Sequence, residues 1–141
     1  MTKDIYKSRH IIIVTGSTTW SDSVMINNLL DQQKSSVDKP IHLLTGTADG
    51  ADAIARNWAL QHQVSCSVED IGTRPHPQAV QAYNEKMLSW GPDIILAFKE
   101  NFDPSWQLET CNRGTEHMCR IAAKSGVPIL LNSLSALQLT A

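Results

Sequence analysis

Three segments of this chain place glycines, hydroxyls and charged side chains at spacings that suit a phosphorylated or sugar-bearing ligand. The first is Thr15-Gly16-Ser17-Thr18-Thr19-Trp20. It follows a run of β-branched residues, and such a composition makes a tight turn whose backbone N–H groups form a nest for a phosphate or another oxygen group. The plain alternative is a strand-to-helix turn with Ser21 or Asp22 as the N-cap. The second is Thr45-Gly46-Thr47-Ala48-Asp49-Gly50-Ala51-Asp52, again after an apolar run and before a helical pattern. Its two acids argue against a crowded phosphate and fit ribose hydroxyls, a base, or a carboxylate bracing the neighbouring turn. Asp49 or Asp52 could equally cap the helix donors. The third is Asn112-Arg113-Gly114-Thr115-Glu116. Gly114 admits close backbone approach, Thr115 can cap or donate, and Arg113 offers a permanent cation with a planar donor fork. It is the best anion site in the chain.

Other residues join these by position. Asn84 lies on the apolar face of a helical pattern with Val80, Tyr83 and Met87, so its amide needs a partner, either the first loop or a ligand. The stretch Lys99 to Asn112 is long for a loop and carries Phe102 and Trp106, which suits a lid or a surface for stacking a base. For acid–base chemistry the carboxylates nearest the three motifs are Glu116 and Asp52, with Glu85 and Asp49 behind them. The histidines at 10, 42, 62, 76 and 117 have no metal-ligand spacing, and His117 reads as a solvated helix residue. No metal and no cofactor are expected. Cys66 and Cys119 fall in regular elements and read as structural. Cys111, in the long loop, reads as accessible.

The elements that must hold these segments alternate strand and helix. His10–Thr15, Ile41–Thr45, Val64–Ile71, Asp93–Phe98 and Pro128–Leu131 read as strands, the fourth as central. Asp22–Gln33, Asp49–Gln63, Gln78–Trp90 and Thr115–Ser125 read as helices. Val24, Leu29 and Leu30 are assigned to the inner face of the first. Ala51, Ala55, Trp58 and Ala59 form the stripe of the second, and Met118, Ile121, Ala122 and Ser125 share a face of the fourth. Gly72–Pro77 reads as a loop, and Ser133–Ala141 as a short terminal helix. The alternation predicts an α/β, Rossmann-like three-layer sandwich: a mostly parallel sheet of about five strands with helices on both faces, in a single domain over 1–141. In such a fold every segment that follows a strand points to one crevice.

Composition narrows the function. The chain has 141 residues, 42% hydrophobic and 18% charged, with 12 Lys plus Arg against 14 Asp plus Glu. The net charge of −2 disfavours general duplex binding but leaves room for a local basic pocket. Three cysteines without a CxxC pattern fit a reducing compartment. The apolar run Ile11–Val14 is too short for a signal core or a membrane span. The expectation is a cytoplasmic protein without membrane contact.

The ordered set TGSTTW, TGTADGADAIARNWAL, YNEKM, DIILAF and NRGTEHMCRIAAKSGVPI resembles the SLOG superfamily, and more narrowly its YspA-like group of small bacterial and phage proteins. The similarity runs from Ile11 to Ile129, and TGTADGADAIARNWAL carries most of its specificity. The resemblance implies a nucleotide-derivative pocket at the C-terminal edge of the sheet and a homo-oligomer, a homodimer or larger. Related groups include the Lonely Guy phosphoribohydrolases, which cleave the N-glycosidic bond of nucleoside monophosphates, and the DNA-processing protein A, which binds single-stranded DNA. Others are proposed sensors of nucleotide or ADP-ribose-type signals.

The chain departs from its relatives. Thr18 stands where the YspA-like group usually has Arg, and so does Tyr83. The catalytic glutamate of the phosphoribohydrolase motif falls on Met118, which cannot serve as acid or base. The reading is therefore a binding protein, sensor or sequestering, for a nucleoside phosphate, ADP-ribose-type or cyclic nucleotide signal. Its ligand contacts are Gly16, Ser17, Thr18, Trp20, Gly46, Thr47, Asp49, Gly50, Asp52, Asn84, Arg113, Gly114 and Thr115. An N-glycosidic hydrolase using Glu116 or Asp52 is the enzymatic alternative, and single-stranded DNA binding is the other.

Overall fold

The structure is a computed structural model describing residues 8–70, 77–109 and 113–134. Expectations for the loop at 72–76, for Asn112, Cys111 and His76, and for the helix at 135–141 lie outside these residues.

The elements alternate as β1 (His10–Gly16), α1 (Ser23–Ser36), β2 (Ile41–Gly46), α2 (Ala51–Gln61), β3 (Ser65–Glu69), α3 (Pro77–Leu88), β4 (Ile94–Phe98), α4 (Gly114–Lys124) and β5 (Ile129–Asn132). The five strands form one sheet in the order β3-β2-β1-β4-β5. Every pairing is parallel, with Ile12 opposite Leu43 on one side and Ile94 on the other. The expected Rossmann-like α/β architecture is the one observed.

Alternation along β1 shows why both sheet faces are covered. Ile12 and Val14 pack with Ile26 and Leu30 of α1 and Ala51, Ala55 and Trp58 of α2. Ile11 and Ile13 pack with Met87 of α3 and Met118 and Ala122 of α4. A strand buried on both sides reads as a continuous apolar run, which is the character of HIIIV. The small residues of α2 bring its axis close to the sheet, and Trp58, buried between Ala55 and Ala59, donates its indole N–H to Asp31 Oδ1 at 2.8 Å.

Two helix faces differ from expectation. In α1 the buried residues are Ile26 and Leu30, while Val24 is 66% exposed. Asp22 is the N-cap, accepting from the Met25 N–H at 3.1 Å, so α1 begins at Ser23 and Val24 sits in its outward first turn. In α4 the burial runs nearly all round: Thr115 to Arg120 and Ala122 are buried. The chain at 99–109 folds back over the helix and covers what periodicity marks as its solvent side.

Candidate ligand site at the C-terminal edge of the sheet

β1 and β4 are neighbours, yet the chain leaves them for opposite faces. This is the topological switch point, where the diverging connections leave a crevice at the carboxyl ends of the strands. Gly16 ends β1 where a Cβ would lie 2.2 Å from the Phe98 carbonyl oxygen and 2.8 Å from Ala51 Cβ, so no side chain fits. The Ser17 N–H donates to the Phe98 carbonyl at 2.9 Å. The Thr19 N–H donates to Ser17 Oγ at 3.1 Å, and the two hydroxyls lie 2.7 Å apart. Thr19 Oγ1 donates to Glu100 Oε2 at 2.9 Å, tying the segment after β1 to the segment after β4. The Glu100 carboxyl is held below its usual range by its own backbone N–H, with help from the Ser17 and Thr19 hydroxyls. Thr18 and Thr19 are exposed and Ser17 is half-buried. Trp20 is buried instead: its ring lies 5.6 Å from that of Phe98, and its N–H donates to the Asp22 carbonyl at 2.9 Å. In this structure it anchors the loop.

The second motif locks onto the first. Gly50 is the N-cap of α2 at φ +72°, and a Cβ there would lie 2.2 Å from the Ser17 carbonyl oxygen. The Ala51 N–H donates to that carbonyl at 3.1 Å, so one free donor of the helix start is spent on the neighbouring loop. No side chain caps α2, and the expectation that Asp49 or Asp52 does so is corrected. Asp49 and Thr47 are exposed. Asp52 points inward. Burial pushes its carboxyl up to about 6, against the opposing pull of Arg56 and of the Ala48 and Gly46 backbone. Arg56 donates through Nη1 to the carbonyls of Gly46 and Ala48 at 2.6 and 3.0 Å, fixing the turn between β2 and α2.

Asp52, Gly46, Thr15, Tyr83, Asn84 and Met118 border an internal cavity of about 30 Å³. Asn84 donates to the Gly114 carbonyl at 2.9 Å, and its amide nitrogen is 3.0 Å from His117 Nδ1. His117 is 4% exposed, so its reading as a solvated residue is corrected. Its ring is held below the usual range by burial first and by Arg120 second. The Asn84–Gly114–His117 cluster joins α3 to the start of α4.

The third motif faces a surface cleft of about 390 Å³, lined by Lys99, Asn101, Phe102, Asp103, Arg113 and Glu116, among others. Glu116 is fully buried. Lys99 Nζ donates to both its oxygens at 2.9 and 2.7 Å, and the Asp103 N–H donates at 3.0 Å. Three of the roughly four lone-pair sites of this carboxylate are therefore occupied. Arg113, largely exposed, sets Nε 3.4 Å from Asp103 Oδ2. Arg113 is itself the N-cap residue of α4, with extended backbone and no capping side chain. Thr115 is buried inside the helix and does not cap it.

The stretch 99–109 thus acts as a strap over α4 as well as a wall of the cleft. Arg120 Nη1 donates to the Leu108 carbonyl at 2.6 Å, and Lys124 pairs with Glu109. Trp106, Arg120, Ala123 and Lys124 line a hollow of about 260 Å³. Sequence reasoning missed Lys99. Its one signal is a cation placed directly after the apolar strand IILAF.

The structure therefore brings the first two motifs into direct contact, and joins Gly46 and Asp52 to Gly114 through Asn84. Among the described residues no cluster of three or more His, Cys, Asp or Glu could hold a metal ion. Nor is any described helix long and apolar enough to cross a membrane. Residues 10–71 match the YspA, cpYpsA-related SLOG family. No curated protein matches the chain. The SLOG match begins with β1 and ends just beyond β3, so it contains both interlocked motifs, TGSTTW and TGTADGAD. The matched stretch supplies the half of the crevice with hydroxyls and acids.

Proposed function

We propose that this protein binds a nucleotide-derived small molecule at the C-terminal edge of the sheet and acts as a sensor or sequestering protein. The observation that carries the reading is the meeting of the segments after β1, β2 and β4 at the switch point, within a chain matching the SLOG family. The backbone of 16–18 and the residues Thr47, Asp49, Gly50 and Asp52 take the sugar and base. Arg113, Gly114 and Thr115 take the phosphate. Two cations and two carboxylates line the cleft at Arg113, and an incoming anion competes with Asp103 for the arginine's donors. The working form is cytoplasmic and homo-oligomeric, a homodimer or larger.

Isothermal calorimetry against nucleoside mono- and diphosphates, ADP-ribose and cyclic nucleotides tests the reading. One of these ligands binds, and Arg113→Ala weakens it by about 1.5–3 kcal/mol through the lost charged hydrogen bond. Folded protein that binds no phosphorylated nucleoside refutes the proposal.

One observation favours a second reading, N-glycosidic hydrolysis. Asp52, at about 6, can hold a proton near neutral pH and deliver it to a leaving base. Glu116 is committed to Lys99 and the strap, which leaves Asp52 as the acid. Chromatography of nucleotide incubations decides it: base released by the wild type and not by Asp52→Asn supports hydrolysis, and no release across the panel retires it.

A further inference from the structure

We propose that Tyr83 is a gate between the internal cavity at Asp52 and the open cleft beside β3 and α3, and that the joined space takes the ribose hydroxyls of the ligand. The assignment rests on the nucleotide reading above and adds to it the place, the gate and the sugar specificity.

Two voids share one side chain. The internal cavity of about 30 Å³ has room for about one water. On the other side of Tyr83 lies a cleft of about 300 Å³, lined by Glu69, Asp70, Ala79, Ala82 and Lys86. Among the described residues, Tyr83 alone belongs to both linings. Its hydroxyl and the Asp52 carboxylate converge on the end of β2: a Cβ on Gly46 would lie 2.7 Å from Tyr83 Oη and 2.8 Å from Asp52 Oδ2. Glycine at 46 is what leaves room for the pair to meet.

One side of the ring packs on the core between the sheet and helices α3 and α4, while its hydroxyl is held weakly: Oη donates to the Glu69 carbonyl at 3.3 Å, at the weak end of the range. Tyr83 is half-buried, so a turn about χ1 toward the cleft moves it into space that already exists. That motion connects Asp52 with the cleft.

The lining chemistry selects the guest. Asp52, Glu69 and Asp70 bring carboxylates to this side, and Lys86, the lining cation, is paired with Glu69 at 3.2 Å. Carboxylates accept hydrogen bonds and repel anions. The cleft therefore suits vicinal hydroxyls, while phosphate belongs beside Arg113. Asn84 borders the internal cavity and bonds to the Gly114 carbonyl, so sugar and phosphate positions adjoin. A ribonucleotide spans the two. The groups facing Asp52 are Arg56 from its own helix and Tyr83 from α3, with Glu69 and Asp70 behind the phenol.

Two measurements test this separately. Carboxyl carbon NMR titration of the free protein reads the gate. Tyr83→Ala lets water reach Asp52 and lowers its midpoint by at least one pH unit, while Tyr83→Phe keeps the plug and leaves it within half a unit. Should Tyr83→Ala not fold, Tyr83→Val also removes the ring. An unmoved midpoint in the ring-less variant overturns the gate. Calorimetry with AMP and 2′-deoxy-AMP reads the sugar site. The wild type prefers AMP at least tenfold, and Asp52→Asn brings the ratio near one. Equal affinity of the wild type for the two overturns the sugar assignment and leaves the nucleotide reading standing. Binding of neither overturns the sugar site, while the wider nucleotide panel still decides the nucleotide reading and the titration still decides the gate.

Discussion

At the residue scale, Asp52 carries a cost that pH exposes. Its folded carboxyl sits at about 6 against an ordinary value of 3.8, so between those values the folded state binds more protons than the unfolded. Stability then falls as pH rises through this window and levels off above it. The shift of about two units corresponds to roughly 2–3 kcal/mol as an upper bound for a half-buried group. Asp52→Asn keeps an acceptor for the Ala48 and Gly46 backbone and removes the titration. Urea unfolding from pH 4 to 8 is expected to show the wild type losing stability between pH 4 and 6 and levelling off beyond, while the variant loses less across that same window. Parallel profiles would mean that Asp52 titrates near its free value. Gly50 makes a sharper case of residue dictating fold. Its positive φ and its contact with the Ser17 carbonyl forbid a side chain on both counts. Gly50→Ala is expected to cost at least 2 kcal/mol by chemical denaturation, since the clash is with backbone and not with a flexible tip.

The strap over α4 is the element whose loss has consequences beyond itself. Glu116 ties its beginning through Lys99 and the Asp103 N–H, and Arg120 and Lys124 tie its end. Glu116→Gln leaves Lys99 without its counter-charge beside a buried amide, a change expected to cost about 3 kcal/mol. Hydrogen exchange checks that the effect is local: amides of 103–108 should exchange faster while those of β1 keep their protection, and uniform acceleration would show that the strap and sheet open together. The strap also marks the limit of what sequence could show. Apolar period and glycine punctuation place all five strands and four helices, because a parallel strand buried on two faces and an Ala51–Ala55–Trp58–Ala59 stripe are local patterns. The burial of Glu116 and His117 is not local. It arises when 99–109 returns over a face whose composition reads as polar. Trp20 was chosen for the ligand site by its place after Gly16, whereas its packing on Phe98 depends on the pairing of β1 with β4. In the same way the motifs at 16 and 50 were legible one by one, but their mutual lock at Ser17 is a tertiary contact. Tyr83 was visible on the face of α3, and nothing in the spacing marks it as the wall between two voids.

At the scale of the whole molecule, charge separates a small ligand from a polymer. The chain carries 14 acids against 12 bases, and the candidate edge itself bears Glu69, Asp70, Glu100 and Asp103 beside Lys99 and Arg113. A nucleic-acid strand crossing this edge would set several phosphates against carboxylates, with few cations to release counterions. A nucleotide needs one anion pocket, which Arg113 can provide in competition with Asp103. The two ligands differ in salt dependence. A single strand held by Z phosphate contacts loses affinity with a slope of about −0.7Z on a logarithmic salt axis, which is steep for any real footprint. A nucleotide held through Arg113 should show a slope of magnitude about one. Measured from 50 to 300 mM salt, AMP affinity is expected to fall only a few-fold, and an oligothymidine should give no gel shift at 150 mM. A tight oligothymidine complex with a steep salt slope would instead assign the edge to single-stranded DNA, and would require that cations outside this edge carry the binding.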